Sequence, residues 1–239
     1  MFNKWRKYSY AAQKDQYHRL RWVVLLFCAF FLLYLLLSSF VISTRELGND
    51  TMRPGLYRGD RFIFSSRTIF RFLPDSASTL SLGRGEVVLV DEGLRNPRSF
   101  PVELLDSVIR FFTAQKLGLG NRLENHYIKR IIGFPGDEIS IANYVARVKP
   151  SGSAYSLTEF ELWERPYDVD IPQTPALWDE SLPFSGNMET LLLGEDECFV
   201  LSDDRGNTND SRTWGPLPLD LIAGKALFRY WPLNRLGLP

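Results

Sequence analysis

The feature that most constrains this chain is an uncharged stretch of 21 residues from Trp22 to Ile42. As a helix rising 1.5 Å per residue it would measure about 31 Å, which matches the roughly 30 Å hydrocarbon core of a bilayer. A cleaved secretory signal is the alternative, but its apolar core usually has about 7 to 15 residues and ends in small residues. This stretch ends in Phe40-Val41-Ile42. The sequence therefore predicts a retained membrane anchor that crosses once.

The charges that flank this stretch predict its orientation. Residues 1–21 hold six lysines and arginines against a single acid, Asp15, and only Arg45 follows the stretch closely. Because cationic flanks stay on the cytoplasmic side, we predict a cytoplasmic (inner) membrane protein with its N-terminus in the cytoplasm. Residues 1–21 are then a cytoplasmic basic segment, 22–42 the transmembrane helix, and 43–239 an extracytoplasmic domain.

Composition and the placement of cysteine and histidine exclude several classes of function. The formal net charge is zero, so nothing in the overall charge indicates a nucleic-acid partner. Cys28 lies in the predicted span and Cys198 outside it, which excludes a disulfide framework. His18 and His126 lie on opposite sides of the membrane by this topology, so a histidine-based catalytic or metal site would depend on His126 alone. Hydrolysis in this domain needs another base.

After the anchor, short apolar runs alternate with glycine and proline turns, which indicates a mainly β domain of 43–239 with one substantial core. Turn residues flank several runs, at 58–60, 83–85 and 135–137. The predicted strands are Arg61–Ser65, Glu86–Asp91, Tyr127–Ile132, Glu138–Ile141, Cys198–Leu201 and Ala226–Tyr230.

Two regions of this domain differ from the strand pattern. Between Val102 and Lys116, apolar residues recur at helical spacing, which predicts one amphipathic helix whose apolar face rests on the sheet or on the membrane surface. Residues 143–194 are rich in proline, serine and aromatic residues without a sustained period. We expect them to form a small, loop-rich peripheral lobe with some short strands.

Two segments combine a tight turn with a polar residue beside an apolar run. Residues 49–56 read Asn-Asp-Thr-Met-Arg-Pro-Gly-Leu and begin seven residues after the predicted span, close to the membrane surface. Residues 127–137 read Tyr-Ile-Lys-Arg-Ile-Ile-Gly-Phe-Pro-Gly-Asp, with Lys129 inside an apolar strand. If Lys129 faces inward, desolvation lowers its pKa and makes it a usable base. The alternative is that Lys129 points to solvent and Arg130 faces inward, and periodicity alone does not decide between them.

A third segment, residues 201–215, consists almost entirely of polar, small or turn-forming residues apart from Leu201 and Trp214. Such a loop can hold its own backbone by side-chain hydrogen bonds and by an ion pair between Asp210 and Arg212. A metal site is the competing interpretation, because three aspartates, Asp203, Asp204 and Asp210, can supply oxygen ligands. Their spacing fits no EF-hand, because no glutamate ends a twelve-residue loop.

In this order after a single span, the three segments resemble the type I signal peptidases, serine/lysine endopeptidases that remove signal peptides from exported proteins. Residues 127–137 are similar to the lysine box of that family, and Asn-Asp-Ser-Arg-Thr-Trp-Gly at 209–215 to the end of its Gly-Asp-Asn-Arg box. Residues 83–89 look like an early strand of the family, and 222–226 with 230–232 like its closing strand. The resemblance covers residues 22 to 232 and implies a signal-peptidase-like antiparallel β-sheet domain.

The resemblance also implies roles for individual residues. The general base falls on Lys129, and the residue whose hydroxyl orients that base falls on Thr208. Asp210 and Arg212 fall on a supporting pair that shapes the site. The place of the attacking serine is occupied by Thr51, whose β-methyl group restricts the approach of the substrate.

Two further departures surround this nucleophile position. Asn49 falls where the family often has a serine that helps the oxyanion hole, and its amide can donate the same hydrogen bond. Asp50 replaces a glycine and opposes catalysis if its carboxylate faces the developing oxyanion.

The resulting expectation is a membrane-bound endopeptidase that acts on signal peptides of exported preproteins, with Thr51 and Lys129 as the catalytic pair and the Thr51 N–H with Asn49 as oxyanion donors. The resemblance implies no metal and no organic cofactor. The lipid bilayer is a partner, and the protein-export machinery a further one. The alternative is a catalytically silent homologue that binds signal sequences or scaffolds a secretion complex, and the departures at residues 49–51 motivate it.

Overall fold

The structure is a computed structural model and describes residues 10–36, 42–65, 82–91, 101–102, 105, 109, 126–163, 165–173 and 186–239. The chain divides into two compact units. One consists of residues 1–39 and 99–119, and the other of residues 40–98 and 120–239.

The first unit contains a helix, α1, from Tyr10 to Leu36. Its segment Tyr17–Tyr34 has a mean hydropathy of 1.4 and is long and apolar enough to cross a membrane. Large apolar side chains along it are exposed, with Trp22 at 68% and Leu26 at 69%. Exposed apolar surface of this kind between residues 17 and 34 is unfavourable in water and favourable in lipid, so α1 is compatible with the predicted anchor. Ile42, the last residue of the predicted span, is the first residue of a strand.

Part of the predicted helix 102–116 also belongs to this unit. Val102, Leu105 and Ile109 are helical, and Val102 and Leu105 are exposed. The remaining residues of that prediction lie outside the described ones, so the surface on which its apolar face rests stays a prediction.

The second unit is mainly β, which confirms the predicted fold class. Its strands are β1 (Ile42–Glu46), β2 (Arg61–Ser65), β3 (Val87–Asp91), β4 (His126–Gly133), β5 (Glu138–Ala142), β6 (Val145–Lys149), β7 (Leu157–Thr158), β8 (Met188–Leu192), β9 (Glu197–Leu201), β10 (Leu217–Pro218) and β11 (Ile222–Trp231). All six predicted strands are present. Short helices cover Glu159–Leu162 and Ser211–Trp214, and short 3-10 helices cover Leu219–Leu221 and Leu233–Arg235.

Two antiparallel sheets are formed by these strands. Seven strands pair in the order β1-β2-β11-β3-β4-β9-β10, and four pair in the order β7-β6-β5-β8. Three strands of the smaller sheet, β6, β7 and β8, lie within the range 143–194 that was predicted as a peripheral lobe. β4 and β5 are joined by the predicted Pro135-Gly136-Asp137 turn, where Gly136 has φ +79°, a value that favours glycine.

The centre of the larger sheet is covered on both faces. In β3, Val87 and Leu89 pack in one buried cluster, while Val88 and Val90 pack in another. Successive side chains of a strand point to opposite faces, so neither face of β3 meets solvent. A third cluster, which includes Phe199 of β9 and Ile139 of β5, joins the two sheets. Residues 128–133 of the adjacent strand β4 are buried on both faces.

Candidate active site

Strand β4 places Lys129 in the interior. Lys129 shares a face with Tyr127 and Ile131, and its side chain is fully buried. The indole ring of Trp214 lies over it, with Nζ 5.7 Å from the ring centroid. The alternative in which Lys129 points to solvent is therefore wrong. Arg130, on the opposite face of β4, is buried as well.

Burial gives Lys129 the property that a general base requires. Desolvation disfavours the ammonium form and lowers the pKa of Lys129 from 10.5 to about 8. The carboxylate of Asp210 acts in the opposite direction, and the guanidinium of Arg212 adds to the lowering. With a normal pKa roughly one lysine in 2,500 is neutral at pH 7, whereas with a pKa of about 8 roughly one in ten is.

The hydroxyl in contact with Lys129 belongs to Ser202. Lys129 Nζ donates to Ser202 Oγ at 2.7 Å, and both side chains are fully buried. The sequence resemblance assigned this role to Thr208. Thr208 lies further along the loop, where its carbonyl oxygen accepts hydrogen bonds from the Asp210 N–H and the Thr213 hydroxyl. The contact between Ser202 and Lys129 could have been found only from the register of β4 and β9, which cannot be read from the sequence.

Thr51 and Asn49 are brought together by the turn that follows β1. The Thr51 hydroxyl donates to Asn49 Oδ1 at 2.9 Å, and the Thr51 N–H is 3.4 Å from the same oxygen. Thr51 is buried, and its carbonyl oxygen accepts from the Asp204 N–H at 3.1 Å. The segment 202–204 thus touches both predicted catalytic residues, Lys129 through Ser202 and Thr51 through Asp204. Between Thr51 and Lys129, which are both described, the structure shows no direct hydrogen bond.

The carboxylate of Asp50 is held by two partners of its own. Its Oδ1 accepts from the Arg58 N–H at 3.2 Å and lies 3.2 Å from Arg53 Nε. The side chain is 43% exposed. Asp50 therefore closes the turn around Thr51 from outside, and the charge that it carries is opposed by Arg53.

Asp210 and Arg212 form the ion pair that the sequence suggested. Arg212 Nε and Nη2 donate to the two carboxylate oxygens of Asp210 at 2.9 and 2.8 Å. Burial alone would raise the pKa of Asp210, but the bonds and charge of Arg212, with the Ser202 N–H, hold that pKa below its usual range. Arg212 also donates to the carbonyl oxygens of Arg205 and Asn207. The pair thus fixes the path of the loop.

A buried ionic network that sequence reasoning missed surrounds this loop. Arg130 donates to both carboxylate oxygens of Asp203 at 2.8 and 2.6 Å, and its guanidinium carbon lies 3.9 Å from the ring centroid of Tyr167. The Tyr167 hydroxyl donates to Glu159, which also pairs with Arg205. The two ion pairs of this network join residues that are 73 and 46 positions apart, so no local pattern marks them.

Each of the three aspartates considered above as metal ligands accepts a hydrogen bond from an N–H group of the protein. Asp203 binds Arg130, Asp210 binds Arg212, and Asp204 Oδ1 accepts from the Gly206 N–H at 3.0 Å. Arginine supplies the charge that a cation would supply to Asp203 and Asp210. The geometry therefore supports a structural role for these two carboxylates.

The site therefore combines a buried lysine of lowered pKa, Lys129, with two hydroxyl groups. Ser202 binds the lysine, and Thr51 lies in the adjacent turn. These are the groups of a hydroxyl/lysine hydrolase. The comparison with known sequences agrees with this class. The family described as "Signal peptidase, peptidase S26" matches residues 19–231, and the chain belongs to that family.

Individual relatives are similar to this chain over most of its length. "Probable signal peptidase I-1" of Synechocystis sp. is 28% identical over 86% of this chain and 79% of the relative. "Signal peptidase I" of Leptolyngbya laminosa is 26% identical over 84% of this chain and 74% of the relative. "Signal peptidase IB" of Staphylococcus aureus is 24% identical over 90% of this chain and 91% of the relative. The family match at residues 19–231 includes most of the apolar segment of α1 and most of the β domain.

Proposed function

We propose that this protein is a membrane-bound endopeptidase that removes N-terminal signal peptides from exported preproteins, with Thr51 as nucleophile and Lys129 as general base. The observation that carries the proposal is the fully buried Lys129 with its pKa lowered to about 8. A buried lysine of this kind is unfavourable for stability, which makes it a marker of function more than of structure. Family membership and the names of the relatives support the same activity.

The chemistry follows from the groups around the turn. Thr51 Oγ attacks the carbonyl carbon of the scissile peptide while neutral Lys129 takes the hydroxyl proton. Lys129 then gives that proton to the departing amine, which leaves an ester of Thr51. A water molecule, deprotonated by the same lysine, hydrolyses the ester and restores the hydroxyl.

One local rearrangement must precede the attack. In the structure Asn49 Oδ1 accepts from both the hydroxyl and the N–H of Thr51. If the Asn49 amide turns, both groups are released, and its Nδ2 replaces Oδ1 at the site. The Thr51 hydroxyl is then free to donate to Lys129, while the Thr51 N–H and Asn49 Nδ2 donate to the oxyanion. Asn49 thus holds the resting nucleophile and stabilises the transition state.

The silent binding homologue is the less favoured function. One observation favours it. Thr51 donates to Asn49 and Lys129 donates to Ser202, and the structure shows no hydrogen bond between Thr51 and Lys129 themselves. A protein that only binds signal sequences has no use for a desolvated lysine, however, and the relatives carry the names of peptidases. The cleavage experiment below separates the two functions.

We further propose that the anchor holds the β domain at the outer face of the cytoplasmic membrane, with residues 1–21 in the cytoplasm, 22–41 in the bilayer and the domain that begins with β1 at Ile42 outside. Anchoring confines enzyme and membrane-bound preprotein to one surface, which raises their effective concentration. The protein-export machinery is a further proposed partner, because it delivers preproteins to that surface.

The orientation can be tested with a cysteine introduced at Tyr155, which is 76% exposed. In intact cells a membrane-impermeant maleimide is expected to label Tyr155→Cys and to leave Lys4→Cys unlabelled until the cells are opened. Labelling of Lys4→Cys alone in intact cells would show the opposite orientation and contradict the proposal. Native Cys198 is buried, and the parent chain treated with the same maleimide measures any background from Cys28.

The family resemblance implies substrates with small side chains one and three residues before the cut. The activity is therefore tested with purified full-length protein in detergent and a preprotein that carries an Ala-x-Ala site. We expect the wild type to cleave, Thr51→Ala and Lys129→Met to lose cleavage, and Thr51→Ser to keep or increase it, because serine lacks the β-methyl group. Cleavage by Thr51→Ser but not by the wild type would contradict the proposal and establish the binding homologue. Unchanged cleavage by Thr51→Ala would exclude Thr51 as the nucleophile.

A further inference from the structure

We infer that Ser202 is the positioning residue of the general base: its hydroxyl fixes the direction of the Lys129 amine, the role that sequence resemblance gives to Thr208. The inference rests on the proposed function. Its basis is the 2.7 Å hydrogen bond between Lys129 Nζ and Ser202 Oγ, two atoms in fully buried side chains. A lysine amine ends four rotatable bonds, so a base of this kind needs a fixed partner to aim its lone pair.

The sheet register fixes Ser202 opposite Lys129. In the β4–β9 pair, Ile131 faces Val200 and Arg130 faces Leu201. Continuing this antiparallel register by one residue places Lys129 opposite Ser202, the first residue after β9. Directly opposed residues of antiparallel strands have Cβ atoms about 4.5–5.5 Å apart, close enough for a short hydroxyl to meet the end of a bent lysine chain.

The backbone of Ser202 is fixed from the loop side as well. Its N–H donates to Asp210 Oδ2 at 2.9 Å, and Asp210 is held by Arg212. The supporting pair therefore acts on the base through Ser202. Asp210 and Arg212 hold Ser202 in place, and Ser202 in turn holds the amine of Lys129.

The hydrogen-bond inventory of the two groups suits the reaction. A neutral amine has two N–H bonds and one lone pair, and a hydroxyl oxygen can accept two hydrogen bonds. When Ser202 Oγ accepts one N–H of Lys129, the lone pair of the amine stays free for the Thr51 proton. When the amine is protonated, the same contact stabilises the ammonium.

Ser202 is not placed to be the nucleophile. Its side chain is fully buried directly after β9, whereas Thr51 retains 4% exposure. The N–H of Ser202 is already bound to Asp210, so it is not free to donate to an oxyanion formed at that residue. An acyl group found on Ser202 would overturn the inference.

The first test measures the pKa of Lys129 without the need for cleavage. Full-length protein in detergent, labelled with ¹³C at lysine Cε, is titrated by NMR, and the signal of Lys129 is assigned by its absence in Lys129→Met. We expect the pKa of Lys129 to fall by about one unit in Ser202→Ala and Ser202→Gly, because the ammonium loses its acceptor. Thr208→Ala and Ser140→Ala, a serine in β5, are expected to leave this pKa unchanged.

The second test follows cleavage by the same variants across pH. Loss of Ser202 is expected to lower kcat about 10- to 100-fold with little change in KM, and to move the rise of activity to lower pH. After an acid quench, mass spectrometry of the peptides is expected to find the acyl group on Thr51.

The two tests separate the inference from the proposed function. A Lys129 pKa that stays or rises without Ser202, or that responds to Thr208→Ala instead, would overturn the role of Ser202 even if the wild type cleaves. A shift in Ser202→Ala together with a wild type that does not cleave would overturn the proposed function and leave Ser202 as the partner that orients the lysine.

Discussion

Arg205 and Glu159 form an ion pair in which neither side chain is exposed, with Arg205 Nη2 donating to Glu159 Oε2 at 2.5 Å. Glu159 begins a short helix next to the four-stranded sheet, whereas Arg205 lies in the loop after β9. The preceding residue, Asp204, donates its N–H to the carbonyl oxygen of Thr51. The pair therefore connects the peripheral sheet to the segment that holds the proposed nucleophile.

Removing one partner of this pair is expected to be costly. Glu159→Ala leaves the guanidinium of Arg205 buried without its counter-charge and removes the acceptor of the Tyr167 hydroxyl. We expect a loss of about 3–5 kcal/mol in the free energy of unfolding, measured by denaturant titration of the full chain in detergent. Glu195→Ala, at an exposed turn, is the matched control and should change it little. Equal losses in the two variants would show that the ion pair does not stabilise the fold.

Replacement of the general base should stabilise the protein in a pH-dependent way. The pKa of Lys129 is about 8 in the folded state, against an ordinary value of 10.5. Between these values the unfolded chain binds a proton that the folded chain does not, so the free energy of unfolding rises with pH in that window. The burial of Lys129 therefore lowers the stability of the fold most below about pH 8. The difference corresponds to about 3 kcal/mol, of which the lost bond to Ser202 offsets about 1.

Lys129→Met is therefore expected to unfold at higher denaturant concentration than the wild type at pH 7, by about 2 kcal/mol, with the gain disappearing by about pH 10.5. Lys149→Met, on the partly exposed strand β6, serves as the control and should show no comparable gain. A variant that is less stable than the wild type at pH 7 would contradict the desolvation of Lys129.

The ring of Trp214 is expected to set the pH at which the enzyme becomes active. Its contact with Lys129 excludes water, which lowers the pKa, while a cation–π attraction worth about 0.5–2 kcal/mol acts against this lowering. Because desolvation is the largest cause of the shift, Trp214→Leu should raise the pKa of Lys129 and move the rise in kcat/KM from about pH 8 to higher pH. Trp231→Leu, at a half-exposed ring, is the control. A shift to lower pH in Trp214→Leu would mean that the cation–π contact dominates.

The sequence was sufficient to predict the strands, but not to predict which of their side chains are buried. Alternation placed Tyr127, Lys129 and Ile131 on one face, and the structure agrees, yet alternation could not decide whether Lys129 or Arg130 is buried. Both are buried because β4 lies inside a sheet that is covered on both faces, with Asp203 available to pair with Arg130. Patterns within one strand carry no information about a second covering layer.

The hydroxyl that contacts Lys129 shows a similar limit of sequence patterns. Thr208 matches a motif position, whereas Ser202 reaches Lys129 through the register of β4 and β9, a pairing between residues 73 apart in sequence. The Arg205–Glu159 pair likewise joins residues separated by 46 positions. Motif spacing identifies which segments form the site, but the partner of each side chain depends on how separate strands are aligned.

Asp50 provides a last test of how the turn controls the nucleophile. The sequence raised the concern that a carboxylate here opposes the oxyanion, but in the structure it accepts from the Arg58 N–H and faces Arg53. Both side chains of that pair are about half exposed, where the interaction is screened and worth little. We therefore expect the bond to the Arg58 N–H to matter more than the charge.

Asp50→Asn keeps an oxygen for the Arg58 N–H and removes the charge, whereas Asp50→Ala removes both. Cleavage of the Ala-x-Ala preprotein should change by no more than about twofold in Asp50→Asn, because the screened charge contributes little. It should fall about tenfold in Asp50→Ala, because loosening the turn displaces Thr51 from its reacting geometry. A large increase in kcat with Asp50→Asn would instead mean that the carboxylate faces the oxyanion during the reaction. The turn would then have to reorganise when the substrate binds, and the contact with Arg58 would belong to the resting enzyme alone.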